Sequence, residues 1–217
     1  MQPKRILVIG VTGAGADSLP ARHLQRVLTA DLLVGGERQL SYFADAAGEK
    51  LSMSCGIGAA AVRLRQVRDA GQQAVVVASG DPLCYGIGTS LRRYFTAEEL
   101  EFVPAPTSYQ LAFAVLGEPW HDAVLLSAHN RPLDTVIERI RHAPLAAVLT
   151  DMHATPSAIA QALLTAGMPA ATACAVCENL DQPDERIVRA TLVQIAAQEF
   201  APLNVLVIWN EDECGEA

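Results

Sequence analysis

The chain has 217 residues, 51% hydrophobic and 18% charged, with 16 basic against 24 acidic side chains for a net charge of −8. That apolar content supplies a packed core and excludes the disordered and low-complexity classes. The acidity argues against a sequence-independent hold on DNA or RNA, which needs dense Lys and Arg, but leaves room for an acidic small molecule in a cleft lined by a few arginines.

Lys4 and Arg5 precede an apolar run over 6–9 that ends in Gly10, the pattern of a strand buried on both faces. The run is too short for a signal peptide, and no stretch approaches the ~18 apolar residues of a membrane span, so no membrane association and a cytoplasmic setting are expected. Five scattered cysteines, an odd number, fit that setting. A glycine-bearing loop follows, then a helix over 18–30, a strand over 31–36 with a glycine exit, and helices over 37–46 and 58–71. Residues 73–79, with Ala74-Val75-Val76-Val77-Ala78, read as the clearest buried strand. Next come a loop over 80–86, a helix reaching Phe95, a strand over 100–103 and a helix over 107–117. Pro119 and Trp120 mark a junction. The second half reads as strands over 123–127, 145–150, 172–178, 186–191 and 204–209. Helices over 133–142, 155–167 and 192–199 alternate with them, Thr155 capping the second of these with Pro156 in its first turn.

Alternating strands and helices predict an α/β protein of two lobes, 1–116 and 117–210, followed by a frayed acidic tail over 211–217. The short Asp181-Gln182-Pro183-Asp184 turn leaves no room for a crossover helix, so its two strands are antiparallel.

Several loops carry candidate chemistry. Gly10, Val11 and Gly13 open the first helix, where a ligand can approach the backbone, or where a tight strand–helix turn simply needs glycine. The third glycine of a dinucleotide fingerprint is missing, and so are the acidic residue at the next strand end and any P-loop lysine. Ser79-Gly80-Asp81-Pro82-Leu83-Cys84 follows the best buried strand. Asp81 either accepts hydrogen bonds from a ligand or caps the next helix with Pro82 in its first turn. Thr107 and Ser108 offer two hydroxyls at a strand-to-helix turn, as ligand contacts or as a cap. His129 and Arg131 follow another buried strand, in a loop suited to carboxylates or merely exposed. Cys174 and Cys177 point to opposite faces of a strand, with no second Cys/His pair at zinc spacing, and read as inert; no metal site is expected. The arginines at 63, 65 and 68 read as a solvated helix face.

Taken together, these motifs resemble the tetrapyrrole methylases that use S-adenosylmethionine, over nearly the whole chain. The resemblance rests on the first glycine loop, Ala78-Ser79-Gly80-Asp81-Pro82, Val103 to Ser108, Thr150-Asp151, Ala154-Thr155-Pro156, residues 163–169 and Val176-Cys177-Glu178-Asn179-Leu180. Thr12 departs from it, standing where the family has a second loop glycine. Within the family, residues 34–40 and 109–114, with Pro119-Trp120 and the 127–131 segment, look like the members that methylate carbon 5 of precorrin-7 or its cobalt form.

The resemblance implies two α/β lobes, each a mixed sheet flanked by helices, with the methyl donor in the cleft between them, and a homodimer. It carries donor contacts onto Gly10, Val11, Gly13, Gly80, Asp81, Cys84, Thr107, Ser108, Asp151 and Leu180. Cys84 and Leu180 would act through backbone groups. A tetrapyrrole bears acetates and propionates, which makes Arg38, His129 and Arg131, each past a strand's carboxyl end, the substrate-carboxylate candidates. No catalytic base is assigned. Some relatives fuse this module to a carbon-15 methyltransferase and decarboxylase; the chain has no second glycine-rich nucleotide loop, so that step would fall to a separate partner. The alternatives are a diphthamide or ribosomal-RNA methylase of the same fold, or a non-catalytic nucleotide-binding module.

Overall fold

The computed structural model describes residues 4–129 and 131–210; the tail over 211–217 and Asn130 lie outside the described residues. The chain passes from a first compact unit to a second between Thr107 and Ser108.

The first unit holds β1 (Ile6–Val11), α1 (Ala21–Leu28), β2 (Leu32–Gly35), α2 (Glu37–Ser41), β3 (Glu49–Ser52), α3 (Ile57–Asp69), β4 (Ala74–Ser79), α4 (Ile87–Leu91) and β5 (Leu100–Val103). Its strands lie in the order β3-β2-β4-β1-β5, and all four pairings are parallel. The alternating pleat sorts the side chains. Ile6, Val8, Val34 and Val76 pack with Ala60, Leu64 and Val67 of α3 and Leu91 of α4, whereas Leu7, Ile9, Leu33 and Val77 pack with Val27 of α1 and Phe43. The crossover from β1 to β2 therefore runs over one face, and the crossover from β4 to β5 over the other. Neighbouring strands β1 and β4 send their chains in opposite directions, which opens a crevice at their carboxyl ends.

The second unit holds α5 (Ser108–Leu116), β6 (Val124–Ser127), α6 (Leu133–Arg141), β7 (Leu145–Leu149), α7 (Pro156–Thr165), β8 (Ala173–Glu178), β9 (Arg186–Thr191), α8 (Leu192–Ala196) and β10 (Asn204–Trp209). The order is β6-β7-β10-β8-β9, with β6 and β7 parallel and the remaining pairings antiparallel. Val148, Val176 and Leu206 bury one sheet face against Ile137, Ile140, Ile159, Leu163 and Ile195 of α6, α7 and α8. Thr155 caps α7 as expected, its Oγ1 accepting from the Ala158 amide at 3.2 Å with Pro156 at the first turn.

The structure departs from expectation in four places. The second unit begins at Ser108 rather than 117, because the Tyr109 phenol on α5 donates to the Leu126 carbonyl of β6 and ties that helix to the second sheet. Mixed character is confined to the second sheet, because every connection in the first is a crossover that returns the chain in the same direction. Strand β3 falls outside the expected elements; Glu49-Lys50-Leu51-Ser52 is polar and pairs only with β2 at the sheet edge, so it lacks the apolar signature. The helix expected to run to Phe95 ends at Leu91, because the Arg93 and Tyr94 amides turn back only three residues, to the Ser90 and Leu91 carbonyls at 3.2 and 2.9 Å, and tighten the chain into turns.

Candidate active site

In the first unit the exits of β1, β4 and β5 are tied together by backbone. The Gly80 amide donates to the Val11 carbonyl at 2.8 Å, and the Ala105 amide donates to the Gly80 carbonyl at 3.3 Å. Gly10 sits beneath this junction, where an added Cβ would lie 1.7 Å from the Gly80 oxygen and 2.8 Å from the Ala105 nitrogen. Gly80 itself adopts φ +58°, with Thr107 Cα 3.2 Å from a would-be Cβ. Glycine at both positions is thus a steric requirement. The structure brings Gly10, Val11, Gly80 and Thr107 together, with Gly13 two residues beyond Val11 in the loop that follows β1.

Asp81 does not cap a helix. Its Oδ1 accepts from the Leu83 amide at 2.8 Å and its carbonyl from the Cys84 amide at 3.1 Å, which folds the loop under the half-buried carboxylate. Burial, then the Asp81 charge, pushes the Cys84 thiol up, leaving it a neutral side chain. Tyr85 beside it takes φ +53°, a strained value for a bulky residue, and is 45% exposed. Arg38, on α2, reaches the same sheet edge: its Nη2 donates to Ser79 Oγ at 3.1 Å.

In the second unit β6, β7 and β8 all end at one edge, because β10 runs antiparallel to both β7 and β8. That edge collects His129 past β6, Asp151 past β7 and Leu180 past β8. It is held by side chains. Asp151 Oδ1 accepts from the His153 and Ala154 amides at 2.8 and 2.7 Å. These bonds, Ala154 first, hold its carboxyl below the usual aspartate range, and the charges of His129 and His153 act in the same direction. Thr150, buried, donates to Asn204 Oδ1 at 2.7 Å. Glu178 is 2% exposed and accepts from the Arg186 guanidinium and the Ala201 amide. Burial alone would raise its carboxyl; those two donors outweigh it and hold the pKa below the ordinary value. Leu180 is buried between Asn179 at φ +49° and Asp181 at φ +59°, so its backbone sits in a contorted turn. His129 and Arg131 are exposed beside the start of α6, and Ser108 is exposed at the first position of α5.

Sequence reasoning passed over Tyr109, wholly buried, whose phenol donates to the Leu126 carbonyl, and the pairing of Thr150 with Asn204. No local signal exists for either, since the partners lie 17 and 54 residues apart. Cys174 and Cys177 are buried, and burial pushes each thiol to about 12. A groove of about 270 Å³ lies elsewhere on the first unit, where α3 faces Tyr94, and none of the strand-end loop residues lines it.

Residues 5–196 match the family described as tetrapyrrole (corrin/porphyrin) methylases. The chain is 34% identical over 206 residues to the cobalt-precorrin-7 C(5)-methyltransferase of Salmonella typhimurium, covering 95% of itself and 99% of that protein. It is 31% identical over 204 residues to the decarboxylating precorrin-6Y C(5,15)-methyltransferase of a Sinorhizobium species, covering 94% of itself but 49% of that protein. Among solved structures, uroporphyrin-III C-methyl transferase from Thermus thermophilus complexed with S-adenyl homocysteine has the same fold, with a TM-score of 0.72 at 22% identity and coverage of 94% and 97%. The precorrin-6Y methylase of Archaeoglobus fulgidus gives a TM-score of 0.65 at 20% identity, again covering 94% and 97%.

Proposed function

The chain belongs to the tetrapyrrole (corrin/porphyrin) methylases, and from that premise we propose that it transfers a methyl group from S-adenosylmethionine to carbon 5 of precorrin-7 or its cobalt form in cobalamin biosynthesis. The observation that carries this is near full-length identity, 34% over 99% of the Salmonella enzyme, which leaves no lobe of that protein unmatched.

The residues present suit such a donor. A glycine-lined junction lets a nucleoside or amino-acid moiety approach the main chain closely, and two half-buried carboxylates, Asp81 and Asp151, can accept from hydroxyl or ammonium groups. We assign donor contacts to Gly10, Val11, Gly13, Gly80, Asp81, Cys84 and Thr107 of the first unit and Ser108, Asp151 and Leu180 of the second. The donor supplies a methyl group already activated on a sulfonium. The protein's part is to hold that carbon and the acceptor carbon about 3–3.5 Å apart and in line, away from water. A carbon–sulfur bond breaks as a carbon–carbon bond forms, and the macrocycle then sheds a proton. Arg38, His129 and Arg131 are the groups we assign to the substrate's acetate and propionate arms.

The chain acts as a homodimer in the cytoplasm on this reading. The chain matches about half the length of the Sinorhizobium C(5,15) enzyme, whose name joins the two activities and points to a carbon-15 methyltransferase as functional partner. Among the described residues no helix is long and apolar enough to cross a membrane. The test is incubation with labelled S-adenosylmethionine and a precorrin mixture, read by mass. One added methyl group on precorrin-7 is expected. Transfer only to an earlier precorrin would reassign the carbon, and no transfer to any would end the reading.

A further inference from the structure

Arg38 is exposed on α2, yet its guanidinium is held. Ser79, the last residue of β4, places its Oγ 3.1 Å from Arg38 Nη2. Gln39, next in sequence, turns its amide oxygen to accept from Ser79 Oγ at 2.8 Å and from Arg38 Nε and Nη2 at 3.3 and 3.2 Å. The opposite orientation would set an NH₂ group against two guanidinium donors. One edge of the guanidinium is thereby pinned by an amide and a hydroxyl, both neutral. No carboxylate among the described residues pairs with Arg38, so its charge is not cancelled. The outer edge keeps the two-pronged donor geometry that matches a carboxylate.

We propose that Gln39 and Ser79 are positioning residues that hold the Arg38 guanidinium with its outer edge open for an acetate or propionate arm of the tetrapyrrole. The inference rests on the function proposed above and adds the two groups that orient the cation. Ser79 also joins this clamp to Gly80, whose backbone belongs to the donor loop, so the readout must separate substrate from donor.

Kinetics with cobalt-precorrin-7 at saturating S-adenosylmethionine, alongside calorimetry with S-adenosylhomocysteine, make that separation. Gln39→Leu and Ser79→Ala are each expected to raise the tetrapyrrole KM roughly three- to tenfold, the loss of one or two hydrogen bonds, with kcat and S-adenosylhomocysteine affinity within about twofold. Ser79→Thr should restore the KM because it keeps the hydroxyl. Gln39→Glu should resemble Arg38→Ala, because a carboxylate there would neutralise the guanidinium. In an Arg38→Ala background, Gln39→Leu should add nothing; a merely structural glutamine would add its full factor. That additivity, or an unchanged KM in Gln39→Leu and Ser79→Ala where Arg38→Ala raises it, would overturn the positioning role and spare the substrate assignment. An unchanged KM in Arg38→Ala would overturn the assignment of the arm itself. Failure of the unaltered protein to methylate would remove the function beneath both.

Discussion

The two sheets build their carboxyl edges by different means. In the first unit the loops after β1, β4 and β5 are joined by backbone hydrogen bonds, and side chains are excluded: Gly10 and Gly80 tolerate no Cβ without displacing a main-chain atom. In the second unit the loops after β7 and β8 are held by polar side chains turned inward, Asp151 on two amides of its own loop, Thr150 on Asn204 and Glu178 on Arg186 and Ala201. A parallel sheet with crossovers on both faces presents several strand ends side by side, so main chain can meet main chain. A mixed sheet interleaves strand starts among the ends, and side chains must fill the gaps. The first edge is built of glycine main chain bonded to main chain; the second is built of polar side chains.

The comparison breaks most visibly at Gly10. Gly10→Ala forces a methyl group to within 1.7 Å of the Gly80 oxygen, so the β1 and β4 exits must part. We expect a stability loss of about 3 kcal/mol in denaturant melts and no measurable S-adenosylhomocysteine binding by calorimetry. Wild-type affinity in this variant would show that the backbone junction is not where the donor rests. In the second unit the matching lesion is Glu178→Ala, which strips the half-buried Ala201 amide and the Arg186 guanidinium of their acceptor. Chemical denaturation should show a loss of about 2–3 kcal/mol. A loss below half a kilocalorie would mean that water replaces the carboxylate and that this edge is softer than its hydrogen bonds indicate.

This difference also explains what the sequence made legible. Apolar runs marked nearly every strand, and the antiparallel pair β8–β9 followed from a turn too short for a helix. β3 escaped because an edge strand with two charges has no buried face to announce it. Gly10 and Gly80 could be marked from their places at the ends of buried strands, as ligand contacts or as turn glycines, but the close main-chain approach that requires glycine at both joins loops far apart in sequence and has no local signal. Asp81 and Asp151 could be marked as polar residues at strand ends, but their local commitments could not be read. Whether a carboxylate bonds a ligand or the amide two residues on depends on backbone angles that composition does not encode. The clamp of Arg38, Gln39 and Ser79 was equally hidden, since it joins α2 to β4 across 40 residues.

A gentler probe lies at Tyr109. It is wholly buried at the start of α5 and donates its phenol to the Leu126 carbonyl, fixing the helix on the sheet. Tyr109→Phe keeps the ring and orphans the acceptor, so thermal melts should report a loss of about 1 kcal/mol. Donor affinity should hold, because the ring still seats α5 and the contacts assigned to Thr107 and Ser108 do not use the phenol. A fall in affinity without a fall in stability would tie α5 to the site.

The smallest expected change carries the sharpest distinction. Asp151→Asn keeps an oxygen for the Ala154 and His153 amides, so at neutral pH the stability cost should stay within about 0.5 kcal/mol. What disappears is the charge. In the folded chain those amides hold the Asp151 carboxyl below its usual value, so the wild-type residue stabilises the fold fully above the unfolded aspartate pKa of about 3.9. That contribution drains away as pH falls through the lower folded value. Acid titration of stability should therefore show a shallower decline below pH ~4 in Asp151→Asn than in wild type. If the carboxylate serves only its own loop, S-adenosylhomocysteine affinity will match wild type in the same variant. If it also accepts from the donor, affinity will fall severalfold while the neutral-pH melt stays put. That single pair of measurements decides whether the second edge, for all its inward bonding, still has a charge to offer.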